Sequence, residues 1–349
     1  MKILALDLGK FNSVACLFDT ETNQTEYETI STQVFAIEQL LQTMQPNKVV
    51  IETCTMSGWV YDLCQGHGFE VVVANPSSEA WQWRNVKRKT DKDDALKLAK
   101  LQALEQIVPV YMPAAEMRQY RRLVKYRKVL VGRVNQVKNS IRSLLDAQGK
   151  CLSSRAKAWT VAGMAVLEEY RKPLSECGMH ELWRGELDIE LTLLDNLWEQ
   201  QDVLEKQLEA MAKQDERVQL LMTIPGVGRR TAEVIVTILD DPERFQNGRQ
   251  VSAYAGLIPE QRQSGQTNRL GAITKRGSRL LRGALVEIAW MLLRFNPWAL
   301  AVYNRIYGGV KPRKKTAIVA VARKLLVCCW AMLKHKQPWN PPEIQAAAG

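Results

Sequence analysis

Four carboxylates are the first residues whose types and spacing could do chemistry: Asp7, Glu52, Asp91 and Asp94. Asp7 lies in a short apolar run between Leu6 and Leu8, where the period-two alternation of a strand turns it to the face opposite those leucines. Glu52 ends a second such run, LysValValIleGlu. Taken singly, an acid at a strand end is ordinarily a solvated terminus. Asp91 and Asp94 stand three residues apart at the start of a helical pattern, so they share a helix face. Acids there are also favoured by the helix dipole and by capping, and Thr90 is a candidate N-cap. Asp93 falls on a different face and receives no role. What raises the quartet is its combination: one acid inside the first strand, one ending the fourth, and a pair on the helix after the fifth. Four carboxylates meeting at one sheet edge repel one another unless cations neutralise them, and hard oxygen donors select magnesium or manganese. Two such ions roughly 4 Å apart would activate a nucleophile and stabilise the leaving oxygen of a phosphodiester.

A second constellation is IleProGlyValGlyArgArgThrAla, residues 224–232. Gly226 and Gly228 permit a tight turn whose backbone N–H groups approach a phosphate, and the helix that follows presents its positive N-terminus. Arg229 and Arg230 add charge-assisted contacts. The pattern is that of a helix-hairpin-helix element, a sequence-independent binder of the DNA backbone; an isolated ProGlyValGly also serves as a plain turn between helices. The third constellation runs from residue 256 to 282. Ser264 precedes a glycine in a polar stretch, where serine is usually turn chemistry. Lys275, Arg276, Arg279 and Arg282 follow it and would stabilise an attacked phosphate. Further basic residues crowd positions 84–100, beside Trp81 and Trp83, and positions 311–324; basic and aromatic side chains together suit nucleic-acid contact, while solvated helix faces are the plainer reading.

The elements that must position these residues follow from periodicity. Residues 3–8, 14–18 and 25–30 read as three strands, the last two joined by the polar turn at 20–23. A helical pattern at Ile37, Leu40 and Leu41, a strand to Glu52, a helix near 59–63, a strand at 71–73 and a helix at 91–104 complete a mixed sheet with helices on its faces. Two heptad seams follow, one through Leu123, Leu130, Val134, Val137, Ile141 and Leu144, the other through Leu194, Leu197, Gln201, Leu204, Leu208 and Met211. They can pair within one chain or between two. Beyond Val218 the pattern is a Gly-punctuated helix, a loop-rich section at 246–278, and two apolar helices from Leu280 and Thr316. The predicted fold class is α/β plus α, in three parts: 1–108, 109–215 and 216–349.

At 349 residues the chain is too long for one ordinary domain. Its 48 Lys and Arg against 37 Asp and Glu leave a formal charge of +11, which favours a polyanionic partner. Seven scattered cysteines make no CxxC pair and read as reduced, mostly buried thiols. No secretory signal or uncharged run of membrane-spanning length is evident, so the expected location is the cytoplasm, with no membrane partner.

These segments in this order resemble the DEDD transposases of the insertion-sequence-110 family, relatives of the Piv invertase and of bridge-RNA-guided recombinases. The resemblance spans nearly the whole chain. It is carried by AlaLeuAspLeuGlyLys, ValIleGlu at 50–52, LysThrAspLysAspAspAla at 89–95, ProGlyValGly, AlaTyrAlaGlyLeuIlePro at 253–259, SerGly with IleThrLysArgGly, and AlaValAlaArgLys at 320–324. It implies an RNase H-like (RuvC-like) first domain whose Asp7, Glu52, Asp91 and Asp94 bind Mg2+ (or Mn2+), a coiled-coil middle, and a mostly helical transposase domain. In that last domain Ser264 would attack a DNA phosphate to give a phosphoserine intermediate. The chain departs from the family pattern at Gln263, often a serine, and at Glu260, often basic. The resemblance further implies a homo-oligomer, dimer or tetramer, acting on donor and target DNA with a noncoding bridge RNA.

Three other readings remain open on the sequence. A RuvC-like junction nuclease would use the same acids and activate water, with no need of Ser264. AspLeuGlyLys also occurs in actin-like ATPases, but no further Gly-rich phosphate loop accompanies it. A non-catalytic DNA-binding protein would rely on the hairpin and the basic patches alone.

Overall fold

The computed structural model describes residues 1–75, 90–152, 157–264 and 267–341, with backbone only at 262–264 and 267–268. Trp81, Trp83 and the basic residues 84–89 lie outside the described residues. The chain divides into two compact units, Met1–Glu116 and Met117–Gly349.

In the first unit, β1 (Lys2–Asp7), β2 (Asn12–Asp19) and β3 (Thr25–Ser31) form an antiparallel meander. After α1 (Val34–Met44), β4 (Lys48–Glu52) returns parallel to β1; after α2 (Ser57–Gly66), β5 (Glu70–Ala74) pairs parallel to β4. The sheet order is β3-β2-β1-β4-β5. The pleat sorts the side chains: Leu4, Leu6, Val49 and Ile51 pack with α1 and α2, while Ile3, Ala5 and Val50 pack with Leu98, Ala99 and Leu101 of α3 (Asp91–Ala103). At the β1 to β2 turn, a Cβ on Gly9 would lie 2.2 Å from the Asn12 carbonyl oxygen, so only glycine closes that turn beside Asp7. Thr90 caps α3 as the sequence suggests, and Asp93 completes a capping box with it.

The second unit opens on two 33-residue helices, α4 (Ala115–Ala147) and, after α5 (Val161–Tyr170), α6 (Leu182–Gln214). They pack antiparallel: Ile141 and Leu145 share a cluster with Leu187 and Leu191, while Tyr120 and Val124 share one with Leu208 and Ala212. Of the two pairings the seams allowed, the described chain makes the intramolecular one. Val124 and Leu145 are buried where the seam was placed on Leu123 and Leu144, because a straight 3.6-residue helix drifts from a strict heptad.

The remaining elements are α7 (Glu216–Met222), α8 (Arg229–Leu239), α9 (Gly248–Tyr254), the hairpin β6 (Pro259–Ser264) and β7 (Thr267–Ile273), α10 (Arg279–Phe295), α11 (Pro297–Tyr307) and α12 (Lys314–His335). Two expectations are corrected here. The section read as loop contains a β-hairpin, whose polar Gln, Arg, Ser and Thr residues give no apolar alternation in the sequence, and none of its described side chains is buried. The first of two final helices is in fact two, broken where Asn296 caps the next helix and Pro297 cannot continue the last, with a bend of 106°. Helix α12 is long and apolar enough to cross a membrane by composition, but its Ile318, Val321, Leu325 and Leu326 are buried in the unit's core, as in a core helix of a globular domain. All seven cysteines are free, and only Cys16, Cys64 and Cys329 are buried, fewer than expected. Burial pushes the Cys16 thiol up to about 11 and the Cys64 thiol to about 12, so neither is a ready nucleophile.

Candidate active site and nucleic-acid interface

Alternation along two neighbouring strands assembles the acidic end of the first unit. Ile3, Ala5 and Asp7 follow one face of β1, and Val50 and Glu52 follow the same face of β4. Leu6 pairs with Ile51 at the end of the β1–β4 register, and Asp7 and Glu52 are the next and last residues of these two parallel strands, which run about 4.8 Å apart. Helix α3 lies on this same face, and of its first-turn acids Asp94 is turned inward, at 9% exposure, next to the buried Ala95. A carboxylate that deep requires a compensating partner. Asp91 is exposed, so the two acids three apart meet different environments. Asp93 is committed to the cap: hydrogen bonds from the Thr90 hydroxyl and backbone N–H hold its carboxyl below the ordinary 3.8.

Three carboxylates on one sheet face are a donor set that suits a hard divalent cation. Among the described residues, however, no group of three or more His, Cys, Asp or Glu side chains is drawn close enough to hold a metal ion.

Ser264 is the last residue of β6, and its backbone pairs with Thr267 in the final pair of the hairpin register, so it stands at the turn end of the ribbon. Its side chain lies outside the described residues. The opposite end, where Pro259 pairs with Ile273, is anchored on α9 and α10 by Lys275 N–H donating to the Gly256 carbonyl and by the Arg282 guanidinium donating to the carbonyls of Ala255, Arg276 and Gly277 at 3.1–3.2 Å. Five strand steps separate the two ends, about 17 Å. Lys275, Arg276, Arg279 and Arg282 are therefore at the base of the hairpin, farther from Ser264 within one chain than a side chain reaches. Three of them line a groove of about 710 Å³ together with Ile273, Glu287 and Lys128, the last from α4 and missed in the sequence.

Residues 224–228 of the segment read as a helix-hairpin-helix element form a short turn between α7 and α8, and α8 begins at Arg229. Gly226 takes φ +92°, closed to other residues without strain, and Gly228 is the N-cap of α8 with no side chain to cap the first turn. The two arginines differ. Arg229 donates to Glu233 and Glu205 at 2.9 Å each and is largely covered. Burial works against its charge, but Glu233 and Glu205 outweigh it and raise its pKa above the ordinary value. Arg230 is 64% exposed and reaches Glu205 at 2.9 Å. Beneath both, Arg127 of α4 pairs with the fully buried Glu233 and donates to the Arg230 carbonyl. Periodicity could not reveal this network: Arg127 sits within the apolar stripe of α4, and its position there was the available signal.

Residues 218–304 match the family described as Transposase IS116/IS110/IS902, and residues 4–148 match a DEDD family described as Transposase. A protein of Pseudomonas aeruginosa named probable family 20 transposase is 30% identical over 66% of this chain and 68% of its own length. The transposase for insertion sequence element IS1111A of Coxiella burnetii is 28% identical over 97% of this chain and 92% of its own. The pilin gene-inverting protein of Moraxella lacunata is 24% identical over 73% and 69%. The DEDD match implies an RNase H-like first domain and dependence on a divalent metal, and the mixed sheet of order β3-β2-β1-β4-β5 agrees with that fold.

Proposed function

Since the chain belongs to the IS116/IS110/IS902 family of transposases and is a DNA transposase, we propose how its own residues cut and rejoin the strands of an insertion sequence. Asp7, Glu52, Asp91 and Asp94 would hold Mg2+ or Mn2+. The single observation behind this is the register that brings Asp7 and Glu52 to the ends of two adjacent parallel strands beneath a helix that buries Asp94. When bound, the cation supplies charge neutralisation at the scissile phosphate and a lowered pKa for an oxygen nucleophile.

Ser264 is the proposed nucleophile. Its Oγ forms a bond to phosphorus, the P–O bond to the leaving strand breaks, and the freed strand end takes up the proton that the serine gives up. The phosphodiester energy is retained in the phosphoserine, and a hydroxyl of the incoming strand then displaces the serine and regains a continuous backbone. The location of Ser264 at the free end of a two-stranded ribbon favours this, because a protruding tip meets DNA without moving the helical core. The cations at the ribbon's base suit a neighbouring stretch of backbone, with the turn at Gly226 and Gly228 and the exposed Arg230 as a second contact, Arg229 holding that turn in place. A bridge RNA, a dimeric or tetrameric state, a cytoplasmic location and the three-part division at 108 and 215 belong to the same proposal. The charge of +11 supports the polyanionic partners.

The test is a denaturing gel of protein incubated with Mg2+ and end-labelled insertion-sequence termini. A covalent protein–DNA adduct that vanishes in Ser264→Ala is expected. Strand cleavage at the wild-type rate by Ser264→Ala would instead make the protein a water-activating nuclease of the RuvC type.

A further inference from the structure

Charge is divided unequally between the two long helices. Helix α4 carries nine Lys and Arg, and no Asp or Glu occurs from Met117 to Leu145; α6 carries eight Asp and Glu against three Lys and Arg. Part of the basic surplus is used inside the fold: Arg127 pairs with Glu233, and Arg121 donates to the Thr237 carbonyl. Arg122, Lys125, Lys128 and Arg133 are not used in this way. All four are exposed on the side opposite the buried seam of Tyr120, Val124, Arg127, Leu130 and Val134, and none of them pairs with a carboxylate among the described residues. A solvated helix face normally interleaves acids three or four residues from its bases, because like charges at that spacing destabilise the helix. This face does the reverse.

We propose that the solvent face of α4 is a docking surface for the phosphate backbone of duplex DNA, additional to the helix-hairpin-helix turn and the hairpin base. From Arg122 to Arg133 the helix advances about 16 Å, the length of roughly five nucleotides of one strand. Lys128 belongs to this row and also lines the groove that holds Lys275, Arg279 and Arg282, so the two basic surfaces are continuous within one compact unit. Duplex is favoured over single strand, which is held by stacking on exposed aromatic rings. The row offers only Tyr126, and Arg133 already stacks over it at 5.9 Å. The proposal requires neither the metal assignment nor Ser264.

The experiment compares the full-length protein with Arg122→Gln/Lys125→Gln/Lys128→Gln/Arg133→Gln, on a 30-base-pair DNA duplex and on an RNA hairpin across a range of KCl. A control variant, Lys172→Gln/Lys206→Gln/Lys213→Gln/Lys334→Gln, removes the same net charge from lysines that already pair with carboxylates. Circular dichroism melting checks that each variant is folded. The expected result is a DNA affinity reduced at least tenfold at about 0.15 M salt, with the slope of log K against log salt shallower by roughly three to four for the α4 variant, and nearly unchanged for the control. Equal losses in both variants would overturn the proposal. So would a loss confined to the RNA hairpin, or wild-type DNA binding by the folded α4 variant.

Discussion

Glu233 is fully buried, and its carboxylate is tolerated because Arg127 and Arg229 reach it from two helices. A buried ion pair adds little over an apolar substitute, but removal of one partner strands the other charge in low dielectric. Glu233→Gln should therefore destabilise the fold by about 3–5 kcal/mol, measured as a shift in urea midpoint, whereas Arg230→Ala, mostly in water, should cost less than about 1 kcal/mol. Equal effects at the two positions would contradict a network centred on Glu233. This finding also changes the reading of the ArgArg pair. Arg229 holds the turn in place, and Arg230 is the member that faces solvent. The sequence contained both arginines, but not their partners, since Arg127 and Glu205 are 102 and 24 residues away from Arg229 in the chain and only tertiary packing brings them in.

At the scale of elements, the cap of α3 controls where the acidic pair begins. Thr90→Ala removes the hydroxyl that accepts from Asp93 N–H and donates to its carboxylate, at a cost of about 1 kcal/mol. The pH dependence has a definite sign. The folded-state pKa of Asp93 lies below its ordinary 3.8, so its contribution is complete above that value and disappears as pH falls through the depressed folded one. Chemical denaturation between pH 6 and pH 3 should show the difference between wild type and Thr90→Ala narrowing in the acid range; a constant difference would contradict the capping box. The central strands of the first unit were legible in the sequence as short apolar runs at 3–8 and 48–52 bounded by polar residues, because β1 and β4 are buried on both faces, and the helix at 91–104 by its apolar stripe. The β6–β7 ribbon lacked that signal. With polar residues on both faces it reads as loop, and the separation of Ser264 from Lys275 and Arg282 by the length of the ribbon could not be seen before the hairpin was. The helix break at Asn296–Pro297 was missed, although that dipeptide both caps and interrupts, because apolar residues continue on either side of it.

For the whole molecule, a first unit with an RNase H-like sheet is followed by a second unit that is predominantly helical, basic on its α4 face, and carries a two-stranded ribbon with Ser264 in its last described pair. The charge division between α4 and α6 serves both folding and binding: opposite charge favours the intramolecular helix pair, and the excess on α4 is left for DNA. The central claim is that the acids, led by Asp7, act in chemistry and not in adhesion. It is tested most directly by Asp7→Asn in a strand-transfer assay with Mg2+, run in parallel with a DNA-binding titration. The predicted result is strand transfer reduced at least about 100-fold, the scale of losing a carboxylate that positions a catalytic ion, while the dissociation constant for DNA stays within about twofold of wild type, because binding rests on the basic surfaces. Wild-type strand transfer by Asp7→Asn would contradict the account.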